Sequence, residues 1–185
     1  MTDHAALVEL LAERSVKRGQ FTLASGKRSE YYIDARLTTM SPEGLSLIGA
    51  LALSALRESG WSVDAVGGLT LGADPISYAV SYASAGSIKP LRAFTVRKEA
   101  KSHGTGRQIE GPFKPGDRVA VIEDVITTGG SALRAMEAVR AAQGTIAGVL
   151  ALVDRGEGGR QAIEETGTEV ISLVTAAEII SSLGV

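Results

Sequence analysis

The run Val119-Ala120-Val121-Ile122-Glu123-Asp124-Val125-Ile126-Thr127-Thr128-Gly129-Gly130-Ser131 carries the densest chemistry in the sequence. An apolar strand enters two adjacent carboxylates and then a Thr-Thr-Gly-Gly-Ser turn at a helix start. Successive amides in such a turn point inward, and the helix N-terminus adds positive potential, so a phosphate fits there. Gly129 and Gly130 permit positive φ and close backbone approach. Thr127, Thr128 and Ser131 add hydroxyl donors. Glu123 and Asp124 repel one another unless hydroxyls or a cation share them. Side chains alternate along a strand, so both acids face one ligand only where the strand breaks into the turn. Hydroxyls of a sugar on the same ligand as the phosphate are their natural partners. The plainer alternative is a strand–helix turn with two solvated acids. No Gly-Lys-Ser/Thr follows the strand, which disfavours triphosphate cleavage, and no G-x-G-x-x-G follows it as a dinucleotide site requires.

A second cluster is cationic. Phe94-Thr95-Val96 runs into Arg97-Lys98-Glu99-Ala100-Lys101-Ser102-His103-Gly104, which carries four potential cations in seven residues. The connection continues through Gly106, Gly111 and Pro112. A linkage of about 15 residues without an apolar pattern is long for a compact domain, and such loops often act as lids. In a chain of near-zero net charge this cluster suits a multiply charged anion such as pyrophosphate. By itself it also reads as a solvated charge run. A third candidate is Arg155 in Leu152-Val153-Asp154-Arg155-Gly156, just past a strand. Its guanidinium could take a planar carboxylate bidentately, or it could pair with Asp154 or Glu157.

The elements that must position these groups alternate. Thr2 or Asp3 caps a first helix with Leu7, Leu10, Leu11 and Val16 on one stripe, ended by Gly19. Phe21 to Leu23 and Tyr31 to Ile33 read as short strands joined across Ser25-Gly26-Lys27. Ser41-Pro42-Glu43 starts a helix that stops at Gly60. Val63 to Val66 is a buried strand, with Gly67 to Gly72 a loop and Asp74 the cap of a helix to Ser84. Strands follow at Leu91 to Arg97, Arg118 to Glu123, Ile146 to Val153 and Val170 to Val174. Helices follow at Ala132 to Gln143, Gln161 to Thr166 and Ala176 to Leu183. Near-continuous apolar strands separated by helices give an α/β fold, a mainly parallel sheet covered on both faces. Such sheets bind ligands at the carboxyl ends of their strands. The turns after Val66, Arg97, Glu123 and Val153 therefore share one rim.

Composition bounds the rest. At 185 residues the chain is sized for one domain. Hydrophobic residues at 44% and charged residues at 22% give a globular composition. A net charge of −2 gives no reason to expect nucleic acid or membrane as a partner, so an anion site must be built locally. The absence of Cys excludes disulfides and thiolate metal sites, and two His make a histidine metal centre unpromising. The first nineteen residues lack a signal-peptide core, and the expected location is cytoplasmic.

The Val119–Ser131 run closely resembles the phosphoribosyl pyrophosphate (PRPP) signature of type I phosphoribosyltransferases. Arg97-Lys98-Glu99 with Lys101 and His103-Gly104 is similar to the catalytic loop of orotate phosphoribosyltransferases in their short bacterial form. Phe21 to Asp34 resembles their N-terminal region, so the likeness spans essentially the whole chain. It implies a type I phosphoribosyltransferase fold with a small N-terminal hood (roughly 20–40) and a mobile catalytic loop (roughly 98–112). The implied reaction moves the 5-phosphoribosyl group of PRPP onto orotate, giving orotidine 5-phosphate and pyrophosphate in UMP biosynthesis. In this resemblance Val125 and Ile126 belong to the PRPP site, the turn of Thr127, Thr128, Gly129, Gly130 and Ser131 holds the 5-phosphate, and Glu123 and Asp124 the ribose hydroxyls. Arg97, Lys101 and His103 contact the pyrophosphate, and with Lys98, also in the PRPP site, and Asp124 they form the catalytic group. Thr127 and Arg155 contact orotate. Mg²⁺ accompanies the pyrophosphate, and Lys98 works partly across a homodimer interface. Two departures stand out: Ala24 replaces a lysine found in many members, and Gly68 to Pro75 lacks the Tyr-Lys pair of some members. A purine or uracil phosphoribosyltransferase is the nearest rival, and a non-catalytic PRPP sensor the rival of another class.

Overall fold

The computed structural model describes residues 2–22, 26, 28–99 and 108–184. Helix α1 (Asp3–Ser15) begins where the Thr2 hydroxyl accepts a bond from the Ala5 amide. It ends at Ser15 rather than at Gly19, because the chain turns extended at Val16 and enters strand β1 (Val16–Thr22). Gly19 instead lies at the register shift between Arg18 and Phe21, where β1 pairs antiparallel with β2 (Arg28–Ile33). This two-stranded sheet is separate from the main one, and both strands are longer than the sequence suggests. A four-residue helix α2 (Arg36–Thr39), unforeseen, links the hairpin to α3 (Pro42–Glu58), whose cap Ser41 accepts from the Gly44 amide.

The chain enters the main sheet at β3 (Ala65–Leu69) and passes through α4 (Ala73–Ala83) to β4 (Arg92–Val96) on one side. It then crosses to β6 (Arg118–Ile126) on the other side of β3. From there it runs through α5 (Gly130–Ala141), β7 (Thr145–Asp154), α6 (Gly159–Glu164) and β8 (Val170–Thr175) to α7 (Ala176–Ser182). A two-residue strand β5 (Ile109–Glu110) pairs antiparallel with β4. The strand order is β5-β4-β3-β6-β7-β8, so all contacts but the β5 edge are parallel. The direction of winding reverses between β3 and β6, which opens a crevice at their carboxyl ends.

Alternation in β6 distributes the core between two layers. Ala120 and Ile122 pack with α1, α3, α4 and α7, while Val119 and Val121 pack with α5 and α6. Burial of the apolar stretches of β3, β6 and β7 is the main stabilising contribution, at roughly 25 cal/mol per Å² of apolar surface.

Two further local expectations fail. Gly67 and Gly68 belong to β3 rather than to a loop, paired with Phe94 and Thr95. A Cβ at either would collide with the backbone of Phe94 or Ile122, so glycine here serves close strand packing. Asp74 is not the cap of α4. The helix starts one residue earlier, after Gly72, and the Asp74 carboxylate turns inward to accept bonds from the hydroxyls of Thr70 (2.6 Å) and Thr95 (2.8 Å).

Candidate active site

At the point of reversal lies a cleft of about 430 Å³. One wall is the end of β3 and the turn into α4, Leu69 to Gly72. The opposite wall is the end of β6 with Glu123, Asp124, Val125, Thr127 and Ser131. Arg155 closes one end, Lys98 enters from the end of β4, and Tyr32 to Arg36 of the hairpin side lie over it.

The two acids reach one cavity because β6 outlasts its neighbour. Its pairing with β3 ends at Gly67–Val121, while pairing with β7 continues to Ile126. Beyond Val121 the β3-facing edge is open, and both side chains border the same space despite their alternating parity. Glu123 is buried, and its Oε2 has no hydrogen-bond partner. Burial, and then the neighbouring Asp124 charge, push its carboxyl well above the ordinary range. Asp124 is less enclosed; its Oδ1 accepts the Val125 amide at 3.0 Å. Its carboxylate fills the space that a side chain at residue 72 would take.

Gly129 adopts φ 81° and opens α5. The Thr2, Ser41 and Thr175 hydroxyls cap α1, α3 and α7, whereas α5 has no side-chain cap. The helices α2, α4 and α6 also lack one; at α5 the uncapped first amides lie beside the cleft, where an anion could meet them. Thr127 and Ser131 border the cleft; Thr128, Gly129 and Gly130 form the bend behind them, and the Ile126 side chain is in the core. The Ile126 carbonyl accepts the Arg155 amide at 3.1 Å. Gly129 and Gly159 meet backbone to backbone: a Cβ on Gly159 would stand 2.6 Å from the Gly129 nitrogen, and one on Gly129 would stand 2.8 Å from the Gly159 carbonyl oxygen.

Arg155 is enclosed, its side chain 3% exposed. Nε donates to Glu157 Oε1 at 2.7 Å, Nη2 stands 3.5 Å from the Ser29 hydroxyl, and the guanidinium lies 5.4 Å from the Tyr31 ring centre. The pairing with Glu157 is therefore present but buried, and Arg155 borders the cleft with Ser29 and Tyr31 beside its guanidinium. Asp154 does not pair with Arg155. It accepts the Gly156 amide and Arg160 Nε, both at 2.9 Å, and so braces the loop that carries Arg155.

Lys98 borders the cleft; Arg97 does not, and its Nη1 stands 3.6 Å from Glu110 Oε1. Lys101 and His103, like Ala24 and Lys27, lie outside the described residues. Sequence reasoning missed Arg36 and Asp34 in the hood, and Arg134; it put the turn after Val66 on the rim, where Leu69 to Gly72 do form a wall. Arg134 stands three positions after Ser131, a helical spacing that places both on one face. Among the described residues no group of three or more His, Cys, Asp or Glu could hold a metal ion. A cation here would take at most the two acids of β6 and complete its shell from a ligand. The partnerless Glu123 oxygen fits that role. No described helix is long and apolar enough to cross a membrane.

No protein-family model matches the chain. An orotate phosphoribosyltransferase from Aquifex aeolicus is 47% identical over 183 residues, covering 97% of this chain and 99% of its own. One from Synechocystis is 48% identical over 174 residues, covering 94% of this chain and 86% of its own. The crystal structure of the Mycobacterium tuberculosis enzyme in complex with PRPP superimposes with a TM-score of 0.81 at 40% identity, covering 96% of this chain and 99% of that one. Two relatives of such identity over nearly their full length, on a sheet wound around this cleft, place the chain in the orotate phosphoribosyltransferase family.

Proposed function

We propose that this cleft transfers the 5-phosphoribosyl group from PRPP to orotate, with each end of the cleft taking one end of the forming nucleotide. The observation that carries the reading is the convergence of an uncapped helix start, two adjacent acids and a buried arginine on one crevice. In this reading the Thr127–Ser131 turn takes the 5-phosphate, and Glu123 and Asp124 take the ribose hydroxyls. Thr127 and Arg155 take orotate, the guanidinium meeting its carboxylate. Arg97, Lys98, Lys101 and His103 meet the diphosphate. Mg²⁺, held through the diphosphate and the face of Glu123 and Asp124, supplies charge neutralisation for the leaving group.

The N1 atom of orotate forms the bond to C1 of the ribose as the C1–O bond to the diphosphate breaks, the N1 proton passes to the departing diphosphate, and no protein nucleophile is required. Positive charge develops on the sugar, and the fixed acids beside it stabilise that charge while the cations receive the departing diphosphate. Lys101→Ala is expected to lower kcat at least about ten-fold with an unchanged melting temperature; an unaltered kcat removes the basic loop from the chemistry. The family resemblance supports a homodimer. So does α4, which turns Tyr78 and Tyr82, one helical turn apart, to solvent at 53% and 85% exposure. A cytoplasmic setting agrees with the reading.

A base panel tests the reaction. With PRPP and Mg²⁺, orotate absorbance is expected to fall while adenine, hypoxanthine, guanine and uracil stay unchanged. Consumption of a purine or uracil with orotate untouched overturns the reading, as does failure to consume any base.

A further inference from the structure

The wall formed by Leu69, Thr70, Leu71 and Gly72 contributes no charged side chain to the cleft, yet it faces the Asp124 carboxylate. A diphosphate laid there would meet a negative neighbour and a neutral loop. Of the described cations at the cleft, Arg155 is tied to the base end and Arg134 stands on the helix of the phosphate turn. Lys98 belongs to the basic loop. Arg36 remains. It enters from the hood, borders the same cavity as Leu71, Gly72 and Asp124, and lies close enough for its charge to feel that of Asp124.

We propose that Arg36 is a binding residue for the diphosphate end of PRPP, a role that rests on the proposed reaction. Its placement is fixed rather than floppy. Nε donates to Asp34 Oδ1 at 2.8 Å and Nη2 to Asp34 Oδ2 at 3.0 Å, and the Arg36 amide donates to the same Oδ1 at 3.2 Å. Asp34 is only 17% exposed, whereas the Arg36 side chain is 46% exposed. The carboxylate therefore serves as an anchor, and the guanidinium keeps an outward edge. A guanidinium has five N–H donors. Two are spent on Asp34, which leaves the Nη1–Nη2 fork for two phosphate oxygens. An arginine already held in one orientation loses little side-chain freedom when an anion arrives. An ordinary surface pair would not need its cation at the mouth of a cavity lined by acids.

The test is calorimetry on the full chain with Mg²⁺, using PRPP, inorganic pyrophosphate and ribose 5-phosphate as separate probes. Arg36→Gln is expected to weaken PRPP and pyrophosphate by at least about ten-fold and to leave ribose 5-phosphate within about two-fold. Arg36→Lys keeps the charge and loses the fork. It is expected to recover part of the affinity, and it is read by the same probes if Arg36→Gln does not fold. Equal affinity for PRPP in wild type and both variants overturns the proposal. So does a parallel loss for ribose 5-phosphate, which would mean that Arg36 only shapes the hood. A wild-type chain that binds none of the three probes overturns instead the reaction on which the proposal rests.

Discussion

Gly72→Ala is expected to lower kcat/KM for PRPP by about 100-fold while shifting the melting temperature by no more than about 2 °C. Residue 72 has φ −61° and ψ −43°, a conformation any amino acid adopts, so alanine brings no backbone strain. What it brings is a methyl group in the space occupied by the Asp124 carboxylate. The collision is relieved by rotating the short acid aside, which costs the fold little. The site loses an acid from its place beside the sugar, and displacements of about 1 Å at reacting groups cost rates of this order. The control is a double-mutant cycle. On an Asp124→Ala background the Gly72→Ala change should add almost nothing, because the object of its collision is gone. Full activity in the single variant would mean that the position of Asp124 against the β3–α4 turn has no part in turnover.

Glu123→Gln is expected to move stability and ligand affinity in opposite directions. The native carboxyl titrates well above its ordinary range because it is buried next to Asp124. Between the unfolded and native titration points, the native chain retains a proton that the unfolded chain releases. Stability from this group is therefore complete in acid and falls as pH rises through that window. Glutamine resembles the protonated form at every pH. The variant should melt higher than wild type at pH 8, by about 2–4 °C for each kcal/mol of relieved desolvation, with the gain fading toward pH 4. PRPP affinity should fall at least about ten-fold, since an amide replaces an anionic acceptor for the ribose hydroxyls and a cation. Thermal melts across pH and titration with PRPP measure the two halves. A variant less stable than wild type at pH 8 would mean that the carboxylate is better solvated than its enclosure implies.

The parallel sheet was legible because burial on both faces writes itself as unbroken apolar runs, as in Val119 to Ile122 and Val149 to Val153. The turn from Thr127 to Ser131 was legible as a strand–helix passage for a different reason: its signals are local, held within a few successive residues. Misreadings arose where a residue answers to a distant neighbour. Gly67 and Gly68 look like a loop until β4 and β6 press on them. Asp74 before Pro75 looks like a cap until the hydroxyls of Thr70 and Thr95 claim its carboxylate. Elements as brief as α2 and β5 show no period at all. Arg36 escaped notice because its place over the cleft depends on how the hairpin packs, and spacing along the chain does not record that.

The contact between Gly129 and Gly159 carries a consequence for how new specificity could arise. With main chain resting directly on main chain, the span from the bend proposed to hold the phosphate to the loop carrying Arg155 works as a ruler set by backbone rather than by side chains. Replacing the groups at the ruler's far end could retune which heterocycle is accepted without recalibrating the grip on the sugar. A single methyl inserted at the contact would alter the scale itself.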